Sequence, residues 1–273
     1  MNGETDGNEQ LGQPLSYHER FFFDVNGYVV RHNVLSPRQI HALNARIDDQ
    51  RLSPPGDDIM SQRFAGMLEW GEEFLALLDH PEALAILRDL IEETIRLDHV
   101  YGIHMDKGHE GLGIHGGGTP FDPSQYYLHR GGRMHNGLVA VMWGLSESNT
   151  GDGGFCCIPG SHKAFEPVPS DVATYQAHRD WVTEVPLPPG SMLVFTEALA
   201  HGTLPWMGEQ TRRAIVYKYA PGHMAWAPGP NWREDAYGPM PGLGAITPEI
   251  AARLGGRRRA LLHPPYIPHH PSV

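Results

Sequence analysis

The chain reads as a mainly β protein with a helical N-terminal part, an antiparallel sandwich or jelly roll braced by helices. Segments with helical caps and helical spacing are confined to the stretch before residue 96. From about residue 98 onward, short runs of β-forming residues alternate with glycine and proline turns. The 32 glycines and 24 prolines among 273 residues suit a loop-rich fold of short strands.

In chain order, residues 1–16 are polar and acidic and are expected to form a disordered tail, unlike a signal or transit peptide. Tyr17 to Phe23 predicts a short helix or turn that feeds a strand at Gly27-Tyr28-Val29-Val30. At Ser36-Pro37-Arg38-Gln39 serine caps, proline suits the first turn and glutamine completes a capping box. Ile40, Leu43 and Ile47 then form an apolar stripe at helical spacing. Residues 51–70 read as a loop around Pro54-Pro55-Gly56. A second helix is expected from about Pro81 to Ile95, with Leu84, Leu87, Ile91 and Ile95 on one face. Strands are expected at Val100–Met105, Leu138–Leu145, Gly154–Ile158, Val182–Val185, Met192–Thr196 and Ala214–Tyr219. Residues 17–273 are expected to form a single domain, in which the Pro-, Gly- and Trp-rich stretch 222–273 wraps the barrel or lids its mouth.

Composition narrows the function. A hydrophobic fraction of 40% supports a sizeable core. No apolar run approaches the roughly 18–20 residues needed to span a bilayer, so a cytoplasmic protein with no membrane partner is expected. The net charge of −11, with Arg257-Arg258-Arg259 as the one dense basic run, argues against a nucleic-acid polymer as partner. A few arginines still suffice for one small phosphorylated ligand.

Local motifs are weak when taken singly. Cys156 and Cys157 are neighbours in a strand, face opposite ways and make a poor disulfide; they read as small hydrophobes. Ser161 and His162 are likewise adjacent and do not form a nucleophile–base pair. Gly116-Gly117-Gly118 lacks the following Lys-Ser/Thr of a phosphate-cradling loop. The 17 histidines invite a search for a metal.

Taken together and in order, three segments carry more. The first is Gly113-Ile114-His115-Gly116-Gly117-Gly118. The second is Gly151-Asp152-Gly153-Gly154-Phe155 leading to Ile158-Pro159-Gly160-Ser161-His162-Lys163, and the third is His201-Gly202-Thr203 with Arg212. With the opening Phe21-Phe22-Phe23-Asp24-Val25-Asn26-Gly27-Tyr28-Val29-Val30, residues 17 to 220 resemble the phytanoyl-CoA dioxygenase group of non-haem iron(II), 2-oxoglutarate-dependent oxygenases. The resemblance implies a double-stranded β-helix, a cupin-like jelly roll. It implies that His115 and His201, 86 residues apart, are metal ligands, that Arg212 grips the distal carboxylate of 2-oxoglutarate, and that Thr203 assists it. Such iron sites take two imidazoles and a carboxylate on one triangular face.

Gly117 departs from this pattern. It stands where the family's His-x-Asp motif has its acid. Iron halogenases of the same superfamily resemble this chain here, and the resemblance implies that chloride (or bromide) occupies the corner at Gly117. The expected cofactors are therefore Fe(II), 2-oxoglutarate, dioxygen and chloride, and the expected activity is chlorination of an unactivated carbon. Two alternatives stand beside it. The first is an ordinary hydroxylase that borrows a carboxylate from Asp106 or Asp122, or in which His104-Met105-Asp106 is itself the metal motif; the second is a non-catalytic binding member. Lys107 and the glycines after it resemble the loop preceding the metal strand, which places His104 and Asp106 one strand too early. A halide also needs donors, because an anion leaving water must be compensated. Thr119, Tyr126, Tyr127, Arg130, His135, Asn136 and Trp143 are the candidates for halide or substrate contacts. The expected substrate is a small soluble metabolite. By analogy with one halogenase subgroup it is a nucleotide such as a deoxyadenosine phosphate, its phosphate meeting arginines among 130, 133, 233 and 257–259.

Overall fold

Ser36 begins its helix as the sequence predicts. Its hydroxyl accepts from the Gln39 amide while the Gln39 side chain reaches back, and Pro37 fills the first turn. Ser16 and Glu19 form a second capping box that the sequence reading did not single out. The computed structural model describes residues 12–52, 62–91, 94–117, 122–226, 248–263 and 265. Its helices in the first third are α1 (Tyr17–Asn26), α2 (Pro37–Asp49), α3 (Glu72–Leu78) and α4 (Pro81–Leu90). Most of the expected tail lies outside the described residues, but Leu15 is buried and its amide donates to Asp89.

Two antiparallel sheets form the body. The larger has the order β1 (Tyr28–Arg31), β10 (Met192–Thr196), β7 (Val139–Gly144), β12 (Arg212–Pro221), β3 (Ile95–Met105), β2 (Gln62–Phe64). The smaller runs β4 (Leu112–His115), β11 (His201–Leu204), β8 (Gly154–Cys157), β9 (Thr183–Glu184). The crossovers between sequence-distant strands are those of the expected jelly roll. Alternation sorts the side chains of the larger sheet. Val139, Val141, Trp143, Ile215, Tyr217 and Tyr219 face the helices, in one apolar cluster with Phe23, Leu43, Phe74 and Leu87. Ala140, Met142, Phe195, Ala214, Val216, Tyr101 and Met105 face inward, against Phe155 and Cys157 of the smaller sheet. Tyr217 and Tyr219 donate their hydroxyls to the Phe74 and Leu78 carbonyls, which ties the helical layer to the sheet. Both cysteines are buried and unbridged, as expected of small hydrophobes.

The second helix ends earlier than its apolar stripe suggests. Helix α4 stops at Leu90, and Ile95 opens β3, paired with Pro221. The long β3–β12 ladder claims the β-branched Ile95, so tertiary pairing overrides helical spacing. Within the expected 51–70 loop, Gln62–Phe64 joins the sheet edge and Met67–Glu69 makes a single 3-10 turn. A hairpin of β5 (Tyr127–Arg130) and β6 (Arg133–Asn136) was also unexpected. Its turn is Gly131-Gly132, both at positive φ (60° and 77°), which suits a two-residue hairpin turn.

A short helix α5 (Ser170–Ala173) lies against β4. After β12 the described chain resumes in α6 (Pro248–Arg253) and α7 (Gly256–Ala260). These two pack Ile250, Leu254 and Leu261 into the helical layer, and Arg258 pairs with Glu72 and Asp79. Residues 248–263 thus cover part of the helical layer, while Trp226 packs on His99 of β3. No helix among the described residues is long and apolar enough to cross a membrane.

Candidate active site

The site is built by one cross-strand pair. β4 and β11 are antiparallel neighbours, and their register sets His115 directly opposite His201. Their ring centroids are 4.4 Å apart. Each imidazole is held by the carbonyl two residues before it. His115 Nδ1 donates to Gly113 O at 3.0 Å, and His201 Nδ1 donates to Leu199 O at 2.7 Å. A carbonyl only accepts, so both protons sit on Nδ1 and both Nε2 atoms keep a lone pair, as metal ligation requires. His201 is buried; burial and the neighbouring His115 push its pKa down to about 3, which keeps the ring neutral.

Glycine makes the close approach possible. A Cβ on Gly116 would sit 3.2 Å from His201 Cε1, and Gly116 has φ +80°. Gly117 also lies in the left-handed region, at φ +84°. Among the described residues, no third histidine, cysteine, aspartate or glutamate joins the two imidazoles in a set able to hold a metal ion.

The loop before His201 is pinned from a distance. Ser161 Oγ accepts from the Ala200 amide, and the Ile158 amide donates to Ala200 O. His162 is buried against Tyr127 and hydrogen-bonds to the Asp24 carbonyl. The Pro-Gly-Ser-His-Lys element is therefore a brace for the start of β11.

Arg212 faces the same interior. It is buried, and its guanidinium meets the sulfurs of Met105 and Met142 at 3.4 and 3.8 Å, with no carboxylate beside it among the described residues. Burial lowers its pKa to about 10, so it remains a cation at neutral pH. A buried unpaired charge is expensive and implies a ligand of opposite sign. Gly154 makes room for it, since a Cβ there would lie 2.8 Å from Arg212 Nε. Gly154 is opposite Leu204 and Cys157 is opposite His201, so the guanidinium lies three strand residues from the histidine pair. That is about 10 Å at strand rise, a span suited to a short dicarboxylate. Thr203 shares the face of His201, opposite Phe155.

Residues 23–214 match the family described as phytanoyl-CoA dioxygenase (PhyH). The chain belongs to the phytanoyl-CoA dioxygenase family. Similar solved structures agree in fold. HygX from Streptomyces hygroscopicus with nickel, 2-oxoglutarate and hygromycin B bound is 24% identical with a TM-score of 0.69, covering 80% of this chain and 90% of that one. The iron-bound form of HygX is 23% identical with a TM-score of 0.68, covering 89% and 95%. SnoK, a non-heme alpha ketoglutarate dependent carbocyclase from nogalamycin biosynthesis, is 18% identical with a TM-score of 0.60, covering 81% and 92%. No curated protein sequence matches the chain.

The residues present fit the iron and 2-oxoglutarate of PhyH-family oxygenases: two imidazoles whose Nδ1 atoms face carbonyls, which makes Nε2 the ligating nitrogen, and a buried cation for the far carboxylate. The other sequence candidates lie elsewhere. His104 is in register with Arg213, which bonds to Asn44 and Asp48 of α2, so His104 is on the helix-facing side of the sheet. Asp106 accepts from Thr211 and lies 3.5 Å from His104. Trp143 is also on that side, packed on His80. Tyr127 donates to Asp24, and Asn136 donates to Leu90 O. Asp122 accepts from Ser124, while Arg130, Arg133 and His135 belong to the β5–β6 hairpin. Thr119 and Arg233 lie outside the described residues.

Three residues that the sequence reading missed complete the interior. Glu197 is buried, and Lys218 Nζ lies 2.9 Å from its carboxylate. Burial alone would raise the Glu197 pKa, but Lys218 and the two histidines outweigh it and hold it at about 2. His99 lies opposite Lys218 in the β3–β12 ladder.

Proposed function

We propose that the protein is an Fe(II)/2-oxoglutarate-dependent halogenase acting on a small molecule. Gly117 carries this reading. The family's acid would stand there, the backbone has the conformation that favours glycine, and no acidic neighbour among the described residues takes its place. His115 and His201 would hold the iron through Nε2, Arg212 would orient 2-oxoglutarate with Thr203 beside it, and the corner at Gly117 would admit chloride. When bound, ferrous iron with 2-oxoglutarate and dioxygen supplies the oxidising power. The balance is substrate C–H, chloride, a proton, 2-oxoglutarate and dioxygen giving C–Cl, succinate, carbon dioxide and water. The protein's part is to fix both imidazole tautomers, place the cosubstrate carboxylate and line the interior with apolar side chains that exclude water.

Hydroxylation is the second reading. Membership of the PhyH family supports it, and it needs only water at the same corner. A small-molecule substrate is supported by the hygromycin B bound to the similar HygX. The nucleotide reading draws less support, because Arg258 is already paired with Glu72 and Asp79.

The test needs no substrate. In anaerobic protein loaded with Fe(II) and 2-oxoglutarate, chloride is expected to shift the visible charge-transfer absorption. In Gly117→Asp that response is expected to vanish, at a stability cost of about 1–2 kcal/mol for a non-glycine residue at positive φ. A wild-type spectrum indifferent to chloride would favour the hydroxylase. An unchanged response in the variant would show that Gly117 does not create the halide position.

A further inference from the structure

The interior has a second polar end. Along β12, Arg212, Ala214, Val216 and Lys218 share the inward face, opposite Met105, Ile103, Tyr101 and His99 of β3. Lys218 is six residues from Arg212, about 20 Å at strand rise. The His201 ring packs on Phe195, 4.8 Å between centroids. Phe195 is in line across the sheet with Ala140, Lys218 and His99. The histidine pair therefore lies with the cosubstrate arginine toward one end and the His99–Lys218 pair toward the other.

The chemistry at this second end is specific. Asp98 lies 2.6 Å from His99 Nδ1 and also accepts from Arg96 at 3.1 Å and from the Trp226 amide at 2.9 Å. An aspartate held by an arginine stays ionised, so His99 Nδ1 must donate to it and Nε2 is left as an acceptor. His99 is 2% exposed, and Nε2 has no hydrogen-bond partner among the described residues. Glu197 Oε1, by contrast, already has the Lys218 ammonium 2.9 Å away, so the orphaned acceptor is His99 Nε2. Lys218 links these groups, since it lies opposite His99 in the ladder, 2.9 Å from Glu197 and 5.6 Å from the Tyr101 ring centroid. Two aromatic rings border it, Tyr101 at 6.0 Å and Trp226 at 5.0 Å from the His99 ring.

We propose that this end is the substrate subsite, in which His99 Nε2 accepts a hydrogen bond from a hydroxylated or amino-bearing sugar ring bordered by Tyr101 and Trp226. Buried acceptors without donors are costly, and a ligand rich in O–H or N–H groups relieves them. Flat aromatic surfaces suit the C–H faces of such a ring. Lys218 already balances Glu197, so the subsite calls for hydrogen-bond donors, not for a full charge. The shared chemistry has two sources, a free amino sugar or the sugar of a nucleotide. The inference rests on His115 and His201 as the metal pair, which orients the ring's oxidised carbon.

The test uses the full chain loaded with zinc, a redox-inert and diamagnetic stand-in, together with 2-oxoglutarate. With 15N-labelled histidine, the unprotonated Nε2 signal of His99 is followed while glucosamine, deoxyadenosine monophosphate or octanoate is added. An upfield shift with glucosamine identifies a free amino sugar as the source, and one with the nucleotide identifies its sugar. Either shift supports the subsite, and His99→Phe is then expected to weaken that probe's binding about tenfold or more. A His99 signal that no probe moves, or that octanoate alone moves, overturns the proposal, and this titration needs no variant to fold. Failure of the wild type to bind zinc would instead sink the metal-pair reading, and zinc binding is measured separately.

Discussion

The two ends of the barrel interior hold buried charge in opposite ways. At one end Arg212 stands alone among thioethers. At the other, Lys218 meets Glu197, while Arg96 and His99 share Asp98. An uncompensated buried charge is tolerable only if a ligand completes it, whereas a compensated set can stand empty and offer directional contacts. The contrast supports the proposals of an anion at the first end and a neutral donor-rich group at the second.

The largest effect expected from disturbing this contrast is at the compensated end. Lys218→Met should leave Glu197 buried and unpaired, at a cost of about 3–5 kcal/mol. Calorimetry would read this as a fall in Tm of about 6–20 °C, and Lys218→Met/Glu197→Gln should recover most of it. If the single and double variants melt alike, the pair is not a unit. At the other end the sign reverses. Arg212→Met should leave the apoprotein as stable or more so, because it removes an unpaired charge. The same variant should weaken 2-oxoglutarate binding by about 2–5 kcal/mol in calorimetric titration. An apoprotein destabilised by Arg212→Met would break the comparison.

Acid gives the smallest and most selective probe. Glu197 is held at about 2, below its ordinary 4.5, so its contribution is complete above pH 4.5 and is lost as pH falls toward 2. Denaturant titrations should show about 2 kcal/mol lost between pH 4.5 and pH 3 from this group. Glu197→Gln should lack that component, and the lone arginine contributes nothing in this range. Identical pH profiles for wild type and variant would remove the electrostatic account.

The first end was legible in the sequence and the second was not, for a physical reason. His115, His201 and Arg212 stand in short motifs that are weak singly but, taken in order, resemble the family's pattern, which implies their roles. Glu197, Lys218 and His99 come together only because β10, β7, β12 and β3 pair in one register, and register is a property of the assembled sheet. The alternation Arg212, Ala214, Val216, Lys218 was visible, but nothing local said that β3 would set His99 opposite Lys218. The same limit shortened the second helix, since the pairing of Ile95 with Pro221 is non-local. The β5–β6 hairpin is different. Its Gly131-Gly132 turn is a local signal that the reading passed over.

Gly154 ties two distant positions in the sequence to a shared fate. A methyl group there would press into the Arg212 side chain, and φ +86° disfavours any side chain at 154 in its own right. A larger residue therefore needs both a shorter side chain at 212 and a relaxed backbone. An engineer redesigning the Arg212 end for a different anion would have to weigh both positions together. Mutational libraries that randomise either position alone would score the other's constraint and mistake it for intolerance.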